Sequence, residues 1–128
     1  MSFSNSFETT VLTWAFTASA ATRPTTWFIA LYTVAPGETG GGTEISTAGT
    51  GYARQSVSFT VTADTASNTA NVEWAAATSA WGSVVAVGVF DASTAGNLLA
   101  YANLTTARTV NSGDVFRILA GDLDITLN

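Results

Sequence analysis

Gly88-Val-Phe-Asp-Ala-Ser-Thr-Ala-Gly-Asn-Leu-Leu99, followed by Val110-Asn-Ser-Gly-Asp114 and Ala120-Gly-Asp-Leu-Asp-Ile-Thr-Leu-Asn128, decides the fold by its punctuation. Short apolar runs are broken by Asp, Asn, Ser and Gly, residues that make turns because a short polar side chain bonds its own backbone and glycine adopts left-handed dihedrals. Leu98 to Leu104, Val115 to Leu119 and Leu123 to Leu127 read as strands, separated by turns at Asp91 to Asn97 and Asn111 to Asp114. Nothing in the stretch pairs a nucleophile with a base, so it reads as surface built to pack rather than to react.

Upstream, Val84 to Phe90 is apolar on both alternating faces, with Gly88 in its middle, where a bulge or a close backbone approach is expected. Thr25 to Val34 is also doubly apolar, with Trp27, Ile29 and Leu31 on one face and Phe28, Ala30, Tyr32 and Val34 on the other. Such a strand is covered on both sides. Tyr52 to Thr62 predicts one half-buried strand, Val57, Phe59 and Val61 inward, and Asn68 to Trp74 another, joined by a turn at Ala63 to Ser67. Ala75 to Gly82 reads as an irregular crossing. Pro36 to Gly51 holds six of the eleven glycines and reads as a long surface loop without regular structure, a candidate contact arm.

The first residues change period. Asn5 and Glu8 have capping-box spacing, and Phe7, Val11, Trp14 and Ala15 share one helical face. Threonine makes this a mediocre helix that needs docking, and Ala18 to Pro24 is a linker. The expectation is an all-β chain, a β-sandwich or jelly-roll-like antiparallel domain with a short N-terminal helix. Residues 1–24 form the helix and linker arm, and residues 25–128 a single sandwich domain with the glycine-rich loop at 36–51.

Composition removes most enzyme chemistry. There is no His, Cys or Lys, which takes away the usual general base, the thiolate and the Schiff-base amine. A chain of 128 residues buries roughly two thirds of its unfolded surface, enough for one core. Nine acids against Arg23, Arg54, Arg108 and Arg117 give a net charge of −5, which repels a phosphate backbone, so no nucleic-acid partner is expected. No apolar run approaches the roughly 18 residues that span a bilayer, and no basic start precedes an apolar core. A protein made in the cytoplasm without a signal peptide, and with no membrane partner, is the expectation.

No catalytic, cofactor-binding or metal site is assigned. Asp122 and Asp124 stand two apart but alternate with Leu123, Ile125 and Leu127, the wet side of an amphipathic strand; Asp64, Asp91 and Asp114 adjoin turns. Most aromatic rings fall at core positions, with Trp14, Tyr52 and Trp81 in irregular surroundings. Arg54 and Arg117 fall in strands, where pairing with acids or reaching across an interface is the expectation. The candidate partner-contact residues are therefore Phe7, Trp14, Gly40, Gly41, Gly42, Tyr52, Arg54 and Trp81.

The order of Gly51-Tyr52-Ala53-Arg54 after the glycine-rich loop, Trp81-Gly82, Gly88-Val89-Phe90-Asp91-Ala92, Gly96-Asn97-Leu98-Leu99, Asn111-Ser112-Gly113-Asp114 and Ala120 to Leu127 resembles a family of small tailed-bacteriophage virion proteins, and Ser2 to Glu8 resembles that family's opening helix. Its members are commonly labelled tail fibre proteins and are related to proteins that decorate heads. The resemblance implies a non-enzymatic virion protein with no cofactor and no catalytic residues, whose partners are the major capsid protein or tail proteins. The chain has no internal repeat of the kind a fibre shaft needs. A capsid decoration, or cement, protein is therefore the first expectation, with a globular tail-fibre or host-binding component as the alternative. A carbohydrate-binding module is a third reading. The doubly apolar strands point to self-association.

Overall fold

The computed structural model describes residues 1–127. The elements run β1 (Ser2–Phe3), α1 (Asn5–Phe16), β2 (Phe28–Val34), β3 (Thr43–Glu44), β4 (Gln55–Ser56), β5 (Phe59–Thr62), β6 (Thr65–Asn68), β7 (Val72–Glu73), β8 (Gly82–Phe90), β9 (Leu98–Val110), β10 (Arg117–Ile118) and β11 (Asp124–Thr126). The main sheet has the order β1-β9-β8-β2-β3, with β4 also paired to β2. Two smaller sheets, β11-β6-β5 and β10-β7, supply the second layer of a β-sandwich-like fold, and every pairing is antiparallel.

The doubly apolar strands are the centre of the main sheet. Ile29 and Leu31 of β2 and Val87 and Val89 of β8 point into the large core, where they meet Val72, Trp74, Phe116, Ile118 and Leu123 from the other layer. Ala30, Tyr32, Ala86 and Phe90 point the other way and close a smaller cluster with Leu98. Gly88 pairs in register with Ala30 and Tyr101, so no bulge lies there. What closes on it is side chain: a Cβ would meet Leu98 Cδ1 at 2.9 Å and Tyr32 Cε2 at 3.1 Å. The register shifts fall at Val84/Ala86 and Val89/Phe90 instead.

Several expected strands divide. The Tyr52 to Thr62 stretch becomes β4 on the main sheet and β5 in the second layer, with the crossing pinned where Val57 N donates to Trp27 O at 3.0 Å. Asn68 to Trp74 likewise contributes the end of β6 and then β7. Alternation survives the change of layer after Ser56 and the change between small sheets after Asn68 because all three sheets face one core, and so a single periodic run hides a change of sheet. Val61 was expected inside and is 70% exposed. It shares a face with Phe59 but lies past the edge of the core. The β5–β6 turn is only Ala63 and Asp64, as Thr62 pairs with Thr65, and Ala63 takes the left-handed φ of 54° that such a tight hairpin requires. β9 continues past Leu104 to Val110: Asn103 faces Ala86 while Arg108 faces Val84, so Leu104 to Ala107 bulge out of the ladder.

The N-terminal segment is stitched to the body at its start. Ser2 and Phe3 pair with Tyr101 and Ala100, and Ser4 N donates to Leu99 O at 2.9 Å. The helix cap is Ser4, not Asn5: the Ser4 hydroxyl donates to Leu98 O at 2.5 Å and accepts from Phe7 N at 3.3 Å. Glu8 is thereby one residue too far along to close a capping box. The sheet thus takes up residues assigned to a separate arm, while Asn128, the last residue of the expected domain, lies outside the described residues.

The glycine-rich loop is ordered by backbone contacts. Gly37 and Gly40 close a tight turn with mutual N–H to O bonds of 2.9 Å, and Gly42 has a φ of 73° with space for a Cβ only 2.5 Å from Val34 O. Gly41 has the same handedness, with a φ of 76°, but faces open space. Replacing Gly42 with Ala should therefore destabilise the fold by about 3 kcal/mol or more, against about 1 kcal/mol for Gly41→Ala, as read by urea unfolding. Equal costs would mean that the close approach to Val34 is not maintained in solution.

Candidate functional site

The edge of β2 is covered in two pieces. Thr43 and Glu44 of β3 pair with Val34 and Tyr32, Gln55 and Ser56 of β4 pair with Ile29 and Phe28, and the chain between them leaves the sheet. In the gap, Ile45 N donates to Leu31 O at 3.1 Å, and Leu31 N donates to the Tyr52 hydroxyl at 3.0 Å. The Tyr52 hydroxyl in turn donates to Glu44 Oε2 at 2.8 Å. A side chain thus completes a backbone ladder.

Arg54 clamps the same carboxylate. Its Nε reaches Glu44 Oε2 at 2.9 Å and its Nη2 reaches Oε1 at 2.8 Å, a bidentate pair in which the Arg54 side chain is 8% exposed. Its Nη1 donates to Ala92 O at 3.1 Å and Ala95 O at 2.7 Å, and the guanidinium lies 3.6 Å from the centre of the Phe90 ring. One arginine therefore joins β3, β8 and the 91–97 turn. That turn is also held by Asp91, which accepts from Asn97 N at 2.7 Å and from Asn97 Nδ2 at 2.9 Å. Burial would raise the Asp91 carboxyl, but these bonds and the charge of Arg54 leave it below the usual range.

Trp81 closes the other side of the loop. Its indole donates to Thr50 O at 2.8 Å, and its ring meets Tyr52 edge-on with centroids 5.5 Å apart. Tyr52, Arg54 and Trp81, three of the expected contact residues, thus have their polar atoms engaged inside the molecule. Phe7 is half-buried against Phe3, ring centroids 4.9 Å apart. Gly41 and Gly42 are exposed, and Gly40 is half-buried.

Trp14 is different. It is 72% exposed, and with it on α1 are Leu12 at 57% and Phe16 at 82%; no residue of this helix is buried. Leu12 and Phe16 were not among the expected contacts, although their spacing of four was the available signal: apolar residues on a second side of the helix cannot all face one body. Glu44, which organises the loop, was also missed, because a lone acid in a glycine-rich run carries no pattern.

Among the described residues, no group of three His, Cys, Asp or Glu is placed to hold a metal, and no helix is long and apolar enough to cross a membrane. Asp114 accepts from Asn111 N at 2.9 Å, a turn-closing bond, and Asp124 accepts from the Ser67 hydroxyl. Asp122 is exposed ahead of β11. The geometry offers surfaces for contact rather than converging reactive groups.

The family model described as podophage GP4 fiber I protein gp80 matches residues 2–126. The chain belongs to this family. Its coarse assignment, a phage virion structural protein, follows from membership of the Gp80 family. No curated protein matches the chain. The Gp80 match takes in the residues of β1 and α1 together with those of the sandwich.

Two outcomes test the loop network. Arg54→Ala should cost about 3 kcal/mol in urea unfolding because it strands the Glu44 carboxylate, whereas Arg117→Ala, which breaks the half-exposed 2.5 Å pair with Glu73, should cost under about 1 kcal/mol. The second concerns alkali. Burial first, then the charge of Glu44, raises the Tyr32 hydroxyl to about 12, and burial raises Tyr52 further. The folded state keeps these protons where the unfolded chain sheds them near the ordinary value of about 10. Stability should thus be full below about pH 10 and fall as pH rises toward 12, and Tyr32→Phe should lessen that fall.

Proposed function

We propose that the protein is a non-catalytic, globular component of a fibre on a tailed-phage particle, acting by contact with other virion proteins. The family description carries this reading, and it favours the fibre over head decoration. A chain without internal repeats supports a module at a root, joint or tip rather than a shaft. Its net charge of −5 and the internal use of Arg54 and Arg117 argue against a nucleic-acid role. The exposed rings of Trp14 and Phe16 stand on a helix beside Leu12, an apolar cluster that suits a protein partner.

Capsid decoration remains the second reading, because compactness serves addition to a preformed shell. Immunogold microscopy of intact particles, with antibody against the purified chain, separates the two. Label confined to the tail region is the expected result. Even label over the head would overturn the fibre reading in favour of decoration.

A further inference from the structure

α1 is a 12-residue helix with no buried residue, and the hydroxyls of Thr9, Thr10 and Thr17 bond carbonyls one turn back, a habit that weakens helices. A helix so short and so rich in β-branched residues is marginal in water. Its hydrogen bonds to the body are confined to its start, through Ser4 and through Asn5 N, which donates to Glu38 O at 2.9 Å. Something must cover the rest.

The surface of this helix is complementary to itself. On one side Glu8, Leu12 and Phe16 follow each other at intervals of four, a ridge that begins with a carboxylate and ends in two large apolar side chains. On the adjoining side Phe7, Val11 and Trp14 face the returning linker at Ala21 and Pro24, leaving a mostly apolar groove of about 280 Å³ whose lining includes Arg23. Among the described residues the ion pairs are Arg54–Glu44 and Arg117–Glu73, so Glu8 and Arg23 make none. They carry the only charged side chains in residues 1–26, on a chain whose excess of acid opposes contact elsewhere. A ridge bearing one negative charge lies next to a groove bearing one positive charge, which is what a closed contact between identical chains requires.

We propose that the protein self-associates through α1, the Glu8–Leu12–Phe16 ridge of one copy seating in the groove between α1 and the linker of another. The apolar side chains supply affinity, and the Glu8–Arg23 pair sets orientation. The contact is tested on the purified chain, so its outcome is independent of where the protein lies on the particle.

Sedimentation of the full chain across a concentration series should show a reversible oligomer, with Trp14 fluorescence shifting to shorter wavelength as it forms. Leu12→Ser combined with Phe16→Ser should raise the dissociation constant by at least about tenfold. Both residues lie outside the core, so the near-ultraviolet signal of buried Trp74 and Trp81 should persist and show that the variant is folded. Glu8→Arg or Arg23→Glu alone should weaken association, and the two together should restore it. A wild-type chain that stays monomeric up to about 1 mM, an oligomer indifferent to the ridge variant, or a double reversal that fails to recover would overturn the proposal.

Discussion

The Glu44 carboxylate is the point on which the sheet edge depends. It accepts from Arg54 through two nitrogens and from the Tyr52 hydroxyl, and that hydroxyl accepts the Leu31 N–H that no strand covers. Leu31 is fully buried, so without Tyr52 its amide would lack both water and a partner, at a cost of about 1–3 kcal/mol. The remaining donors of Arg54 then fasten the 91–97 turn, whose residue Ala95 holds a left-handed φ of 51°. A chain with four arginines thus commits one of them to joining three segments far apart in sequence. A glycine-rich stretch becomes an ordered loop by this means, since its own residues have little to pack with.

Much of this architecture was legible in alternation and turn chemistry. β2 and β8 stand out as apolar on both faces, and they are the centre of the main sheet. Asp91 and Asp114 announce their turns. The change of layer after Ser56 and the change between the two small sheets after Asn68 were not legible, because a run that moves from one sheet to another around a shared core keeps its inward period. The cap at Ser4 rather than Asn5 depends on a bond to Leu98, a residue 94 positions away, which no local pattern contains. Tyr52 and Trp81 look from their irregular flanks like surface residues. Instead the Tyr52 hydroxyl stands in for a missing ladder bond at Leu31, and the Trp81 indole holds the loop through Thr50 O.

That internal use of aromatic and charged groups sharpens the functional picture. Once the Glu44 network and the Tyr52–Trp81 contact are accounted for, the large apolar side chains left most exposed are on α1, with Phe16 and Trp14 foremost, and at Val61 on the projecting β5–β6 hairpin. The body is packed around one large core, and the helix is hydrogen-bonded to it at one end. A virion protein built in this way meets its partners with a preformed sandwich and one element whose order depends on being covered, a division that lets assembly stabilise the helix without disturbing the core.

Hydrogen exchange followed at residue resolution, at low and high protein concentration, tests this division most directly. The account predicts that the Leu31 amide exchanges only with global unfolding at both concentrations, while the amides of α1 beyond its first turn exchange quickly when dilute and slow down when concentrated. Rapid exchange at Leu31, or an α1 equally protected at every dilution, would contradict it.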